Sequence, residues 1–291
     1  MSRGSAPCAR RVGSVNLFEK CVFSGEEMLG SIVCRYDAFR SDWFSSYADR
    51  INRAWRDRPP HRKLWEWCAI SHALQERDML RDGRLGIGFA VGKEPLPSLF
   101  AGFGVQIIAT DLGLSGANLF EKSGVHAASL GDCYRPHLVS KNEFERLVHF
   151  QPADMRDLSN FESECADFIW SSCAMEHLGT LQAGIDYVLS TIRLLKPGGV
   201  SVNTTEFNVG SEKETITSGE NVVYRRCDLE ELAAAVRHKR SFMAPLSLEL
   251  GQHRFDLDYD EPPYSTRGGP HITLKLNGHI CTSVMLIVQK L

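Results

Sequence analysis

The residue types that could do chemistry in this chain gather in short stretches between Leu85 and Phe207. In "LGIGFAVGKEPL", small residues fall at Gly86, Gly88, Ala90 and Gly92, where a strand pattern gives way to a helix start. Small residues there let the backbone approach a ligand, and the helix start offers unpaired N–H groups to its polar atoms. Asp111 ends the next strand-like run, "VQIIATD", about twenty residues further on, where a carboxylate can accept hydrogen bonds from ribose hydroxyls. The pattern predicts a site for an adenosine-containing cofactor. The dinucleotide fingerprint G-x-G-x-x-G fails in both registers, because Val91 stands where one needs its third glycine and Ala90 where the other needs its second. A ligand without a pyrophosphate is therefore expected, although a nicotinamide-dependent oxidoreductase remains the alternative enzyme class.

Elements of alternating type must position these residues. "RLGIGF", "VQIIATD", "ADFIWSS" and "VSVNTTEF" read as strands. "PLPSLFAG" reads as a short helix opened by prolines. In "LQAGIDYVLSTIRLLKPGG", Ile185, Val188, Leu189, Ile192 and Leu195 recur at helical spacing before Lys196–Gly199 stops the helix. Strands separated by crossover helices imply a parallel sheet covered on both faces. "CDLEELAAAV" predicts a helix capped by Asp228 with Glu231 reaching back. "HITLKLNGHICTSVMLIV" predicts a hairpin turning at Asn277–Gly278. Upstream, "HRKLWEWCAISHALQERDML" is the best helix, with Pro59 and Pro60 before it and Gly83 at its terminus. The expected organisation is a helical N-terminal segment or lid over residues 1–80 and an α/β domain over residues 81–291. The α/β domain is expected to hold a parallel sheet finished by an antiparallel C-terminal hairpin.

Composition narrows the setting. The 291 residues carry a formal net charge of −3, and no basic stripe suggests nucleic acid. Arg53, Arg56 and Arg58 cluster between prolines and acids, as in a solvated linker. The nine cysteines show no C-x-x-C pair, a pattern of free thiols in a reducing compartment, so a cytoplasmic address is expected. No apolar run is long enough to span a bilayer, and "MSRGSAPCARRVGS" lacks the apolar core of a secretory signal and reads as a short disordered tail.

Gly88-x-Ala90-x-Gly92, Asp111, "ADMRDL" (Ala153–Leu158), "ADFIWSSCAMEHL" (Ala166–Leu178) and "LLKPGGV" (Leu194–Val200) occur in an order that resembles class I S-adenosylmethionine-dependent methyltransferases. With its "EHLG" and "TTEFN" stretches, the chain also resembles small-molecule methyltransferases found with glycan-biosynthesis genes. The resemblance implies an α/β, Rossmann-like, seven-stranded and mostly parallel sheet with an antiparallel C-terminal hairpin, and S-adenosylmethionine as cofactor. Gly86, Gly88, Ala90 and Gly92 would line its methionine and ribose side, and Asp111 would hold the ribose. Asp154 and Met155 would flank the adenine, and Ser171 and Ser172 would sit under the sulfonium. Two departures stand out: the family usually has an acid where this chain has Gly86, and glycine where it has Ala90. Glu94 is a candidate substitute for the missing acid. A methyltransferase-like binding protein without turnover is the third reading that these departures support.

The sulfonium methyl is already electrophilic, so catalysis requires mainly alignment of a nucleophile and exclusion of water, with a base where the acceptor must lose a proton. Glu176 and His177 after the fourth strand of the fold, and Glu206 after the fifth, are the catalytic candidates, with His177 the preferred base because an unperturbed imidazole titrates near neutrality. No carboxylate cluster suited to a metal stands out. The expected acceptor is a small molecule, a sugar or sugar-containing metabolite methylated at oxygen. Its recognition is assigned to the N-terminal helices, the connection Leu112–Phe150 with His126 and His137, and the tail with Tyr264, His271 and Lys275. Arg225 and Arg226 would be the first place to look for a phosphate contact if that sugar carried a nucleotide.

Overall fold

The structure is a computed structural model describing residues 28–112, 126–266 and 268–291. The N-terminal tail and part of the Leu112–Phe150 connection lie outside the described residues.

The strands of the main sheet are buried most completely at its centre. They are β1 (Leu85–Gly88), β2 (Gln106–Asp111), β3 (Val148–Pro152), β4 (Ala166–Ser172), β5 (Leu195–Asn208), β6 (Ser241–Met243), β7 (Thr273–Leu276) and β8 (His279–Lys290). The main sheet runs β3-β2-β1-β4-β5-β8-β6, and β7 pairs with β8 off that path. From β3 to β5 all neighbours are parallel. β8 runs antiparallel to β5, β6 and β7. The β7–β8 turn places Asn277 and Gly278 at φ of 48° and 90°, the paired positive torsions that a tight hairpin turn demands. The expected α/β architecture with a reversed last strand is the one observed.

The helices are α1 (Asp42–Ile51), α2 (Arg62–Glu76), α3 (Leu96–Ala101), α4 (Lys141–Leu147), α5 (Leu181–Leu194), α6 (Arg226–His238) and α7 (Arg254–Leu257). α2 begins where His61 accepts the backbone N–H of Lys63 through its ring. It ends at Glu76, short of the expected Gly83, which instead takes φ 81° in the turn into β1. α6 also starts differently from expectation. Its first residue is Arg226, and Asp228 sits in the third helical position, reaching back to the N–H of Arg225 at 2.7 Å. Leu195 leaves the preceding helix and opens β5.

Alternation of side chains along the strands divides the core into two layers. On one face Phe168, Trp170, Val202 and Ile287 pack with Trp65, Cys68, Ile70 and Leu74 of α2 and with α1, α3 and α4. On the other, Ile87, Ile169, Leu286 and Val288 pack with Ile185, Val188 and Ile192 of α5 and Leu229, Leu232 and Val236 of α6. α2 therefore forms part of a helical layer laid directly on the sheet. Among the described residues no helix is long and apolar enough to cross a membrane.

Candidate active site

The loop after β1 is shaped by what lies behind it. A Cβ on Gly86 would lie 2.3 Å from the Phe168 ring, and one on Gly88 2.3 Å from the Trp170 ring. These two glycines are required by aromatic packing across β1 and β4. Phe168 fills the space that any side chain at position 86 would need. Ala90 and Gly92 take φ of 50° and 51°, a left-handed bend that costs alanine roughly 1–2 kcal/mol relative to glycine. The bend turns the backbone across the carboxyl end of the sheet.

Asp111 ends β2 almost wholly buried. Its carboxylate accepts the N–H groups of Gly92 (3.1 Å), Leu112 (2.8 Å) and Ala127 (3.0 Å), and Nδ1 of His126 lies 3.0 Å away. Each oxygen thus has two partners, and the acid ties the loop to the far side of β2. Glu94, the candidate substitute acid, is buried and accepts the indole N–H of Trp170 at 2.7 Å. Burial pushes its pKa up to about 8, only partly opposed by the Trp170 bond and Lys63, so near neutrality it favours the protonated form and makes a poor ionic partner. A group whose folded pKa is raised contributes stability that is complete below its unfolded value and is lost as pH climbs through about 8. Glu94→Gln preserves the acceptor for Trp170 and cannot ionise. It should be more stable than the wild type above pH ~8 and similar near pH 5, as thermal melting across that range would show.

The densest polar group lies at the carboxyl ends of β4 and β5, under the start of α2. Glu66 is fully buried on α2 and gathers Lys63 Nζ (2.8 Å), Ser172 Oγ (3.1 Å), Cys173 Sγ (3.1 Å), Thr204 Oγ1 (3.3 Å) and Ser283 Oγ (2.6 Å). Burial alone would raise its pKa, but Lys63, Arg62 and hydrogen bonds from Lys63 and Ser283 outweigh it and hold the acid down at about 2. Beside it Arg62 grips Glu206 with both terminal nitrogens. Glu176 is buried and accepts the Thr205 hydroxyl at 3.0 Å. Burial raises its pKa, with Glu206 adding to the shift and His177 opposing it.

Ligating atoms of Cys173, Glu176 and Glu206 lie within 4.8 Å of one another. The expectation that no carboxylates cluster here is thereby corrected. Cys173 and Glu176 follow β4 and Glu206 lies in the adjacent strand β5, so strand pairing rather than local spacing brings them together. Arg62 supplies the cation that Glu206 faces, and burial keeps the Cys173 thiol protonated as a donor to Glu66.

The other expected site residues divide. Ser171 and Ser172 point to opposite faces, as successive strand residues must. Ser172 joins Glu66, whereas the Ser171 hydroxyl donates to Asn203 in the α5 layer at 2.9 Å. Asp154 pairs with Arg156 in the turn after β3, and Met155 is buried beside it in the α5 layer. His177 lies exposed on a 3₁₀ turn, its Nδ1 facing the Glu220 carbonyl at 2.8 Å, outside the buried cluster. Sequence reasoning missed Arg62, Lys63 and Glu66. Their only local signal was charge at the start of an otherwise apolar, aromatic helix.

Residues 98–203 match a family model described as "Methyltransferase domain". This stretch of the chain is therefore similar to a methyltransferase domain. The matched stretch runs from α3 to β5 and so includes the Asp111, Asp154 and Ser172 positions. No curated protein matches the chain. Among solved structures it is similar to an S-adenosylmethionine-dependent methyltransferase from Methanosarcina mazei, at 13% identity over 75% of this chain and 97% of that one, with a TM-score of 0.44. It is also similar to phosphoethanolamine N-methyltransferase 2 of Haemonchus contortus, at 14% identity over 75% and 51%, with a TM-score of 0.45. The cyclase SpnF matches at 18% identity over 57% of each chain, with a TM-score of 0.39. The chain thus spans about half the length of the second and third of these. The residues fit the cofactor of the methyltransferase domain in kind: a left-handed loop beside an acid at the end of β2, and a polar cluster where β4 and β5 end.

Proposed function

We propose that this methyltransferase transfers a methyl group to a hydroxyl of a small, uncharged, hydroxyl-rich acceptor of the sugar or glycan-precursor class. The observation that carries the reading is the buried cluster at the ends of β4 and β5. Arg62 and Lys63 balance Glu206 and Glu66, and burial favours the neutral form of Glu176. A site whose charges cancel and whose remaining groups donate and accept hydrogen bonds suits a polyol better than an ammonium or phosphate. S-adenosylmethionine supplies the electrophilic methyl. Gly88, Ala90 and Gly92 would border the cofactor, and Gly86 would act through packing behind the loop. Ribose hydroxyls would take over the Asp111 contacts now made by His126 and Ala127. Asp154 and Met155 would flank the adenine, Ser172 would lie nearest the sulfonium, and Glu176 and Glu206 would orient the acceptor. The division at residue 80 then has a functional meaning, since residues before it supply the acceptor-side groups Arg62, Lys63 and Glu66.

The test is methyl transfer from radiolabelled S-adenosylmethionine to a panel of neutral sugars, nucleotide-linked sugars and amines, with calorimetric titration of the cofactor into wild type and Asp111→Ala. Label on a sugar oxygen, and cofactor binding lost in the variant, are expected. Label on amines alone would overturn the acceptor class. Cofactor binding with no transfer to any member would favour a protein that binds without turnover.

A further inference from the structure

An acid–imidazole pair stands beside this cluster. Asp260 Oδ2 lies 2.7 Å from His271 Nδ1, and the two side chains are 7% and 12% exposed. A carboxylate can only accept, so the neutral ring carries its proton on Nδ1 and presents a lone pair at Nε2. Both partners are fixed. The N–H of Ser265 donates to the same Asp260 oxygen at 2.8 Å, and the Asp260 backbone bonds to Thr273 and Lys275. The His271 backbone bonds to Pro60 and to Arg62, each at 2.8 Å, and Arg62 is the residue that grips Glu206.

The ring stacks on His61 at 4.5 Å between centroids, with Tyr264 edge-on at 5.6 Å. Of the two stacked imidazoles only His271 is equipped to take a proton. The His61 Nδ1 is occupied as the α2 cap. Burial, with His271 adding, also drives the His61 pKa down to about 4. The groups facing His271 are therefore Asp260, His61 and Tyr264, with Arg62 and Glu206 beyond. Lys275 turns away to Glu261 at 3.2 Å.

We propose that His271, oriented by Asp260, is the general base that takes the proton of the acceptor hydroxyl during methyl transfer. This rests on the reading of the chain as an oxygen methyltransferase. The acceptor oxygen bonds to the methyl carbon, the carbon–sulfur pair goes to sulfur, and the hydroxyl proton goes to His271 Nε2 and then to water. The imidazolium so formed is paired with Asp260. His177, the base expected from sequence, is the competing assignment.

Two measurements decide it, both on the full chain. The first is kcat and KM against pH on the acceptor the panel identifies. His271→Gln should lower kcat by about 100-fold or more with KM little changed, and should abolish the acidic limb of the profile. Asp260→Asn should also lower kcat with KM little changed, because the ring loses the carboxylate that fixes its proton on Nδ1. A limb that survives in His271→Gln, or vanishes in His177→Gln instead, overturns the proposal. The second is nitrogen-15 NMR of the histidine rings without acceptor, with cofactor binding as the check on folding. An unprotonated Nε2 on neutral His271, and loss of that single tautomer in Asp260→Asn, support the assignment. A proton on Nε2 overturns it. If no acceptor takes label, the acceptor reading fails by itself and the ring measurement still decides whether His271 is built as a base.

Discussion

Gly86→Asp should leave little folded protein. A Cβ at that position would lie 2.3 Å, 2.5 Å and 2.8 Å from three atoms of the Phe168 ring, between β1 and β4 at the centre of the sheet. Phe168 is fully buried with Phe100 and Trp170 around it, so the ring cannot swing aside. Overpacking of this kind costs roughly 1–3 kcal/mol, and a buried carboxyl without partners adds about 2 kcal/mol or more. The sum is comparable to the whole stability of a domain at the low end of the usual ~5–15 kcal/mol range. Urea unfolding of Gly86→Asp and of Gly86→Asp with Phe168→Ala separates the causes. The double variant should recover part of the loss, because the second change opens the space that the first requires. A single variant as stable as wild type would show that the ring does not govern this position.

Glu66→Ala should be the second most damaging change. It removes one acceptor that serves Lys63, Ser172, Cys173, Thr204 and Ser283 together. Breaking a buried ion pair costs about 3–5 kcal/mol, and the lower end applies here because the Lys63 side chain is 35% exposed and can turn toward water. The same acid sets an acid-side dependence. Its folded pKa is depressed from 4.5 to about 2, so its stabilisation is complete above the unfolded value and disappears as pH falls through about 2. Between pH ~5 and ~2 the wild type should lose stability more steeply than Glu66→Ala, a difference that denaturant midpoints measured across that range would reveal. Parallel slopes would mean that Glu66 is not ionised in the native protein.

Local pattern made much of the frame legible. β4 occupies "ADFIWSS" residue for residue, α5 follows the helical spacing of Ile185, Val188 and Ile192, and Asn277–Gly278 makes the turn it spells. These features are written in neighbouring side chains. The starts and ends of helices were less legible, because they depend on which side chain reaches a free N–H. Asp228 could have capped α6 from outside, but its carboxylate reaches back to Arg225 from within. The cluster at the ends of β4 and β5 was least legible. Arg62 meets Glu206 across 144 residues and Glu66 meets Ser283 across 217, and no spacing rule connects such pairs. For the same reason Gly86 reads in sequence as a ligand contact, and only the Phe168 ring reveals it as a packing contact.

The position of β8 has a consequence for how the molecule assembles. It follows every other strand along the chain yet lies inside the sheet, between β5 and β6. Among the described residues β6 has no strand neighbour in the main sheet other than β8, and it is β8 that carries Ser283 to Glu66. Such high contact order makes the closing step slow, since a long loop must be ordered before its contacts form. Until then β5 presents an open edge rich in β-branched residues, the kind of surface that recruits other chains. The buried polar cluster around Glu66 and the protection of that edge are completed by the same late event.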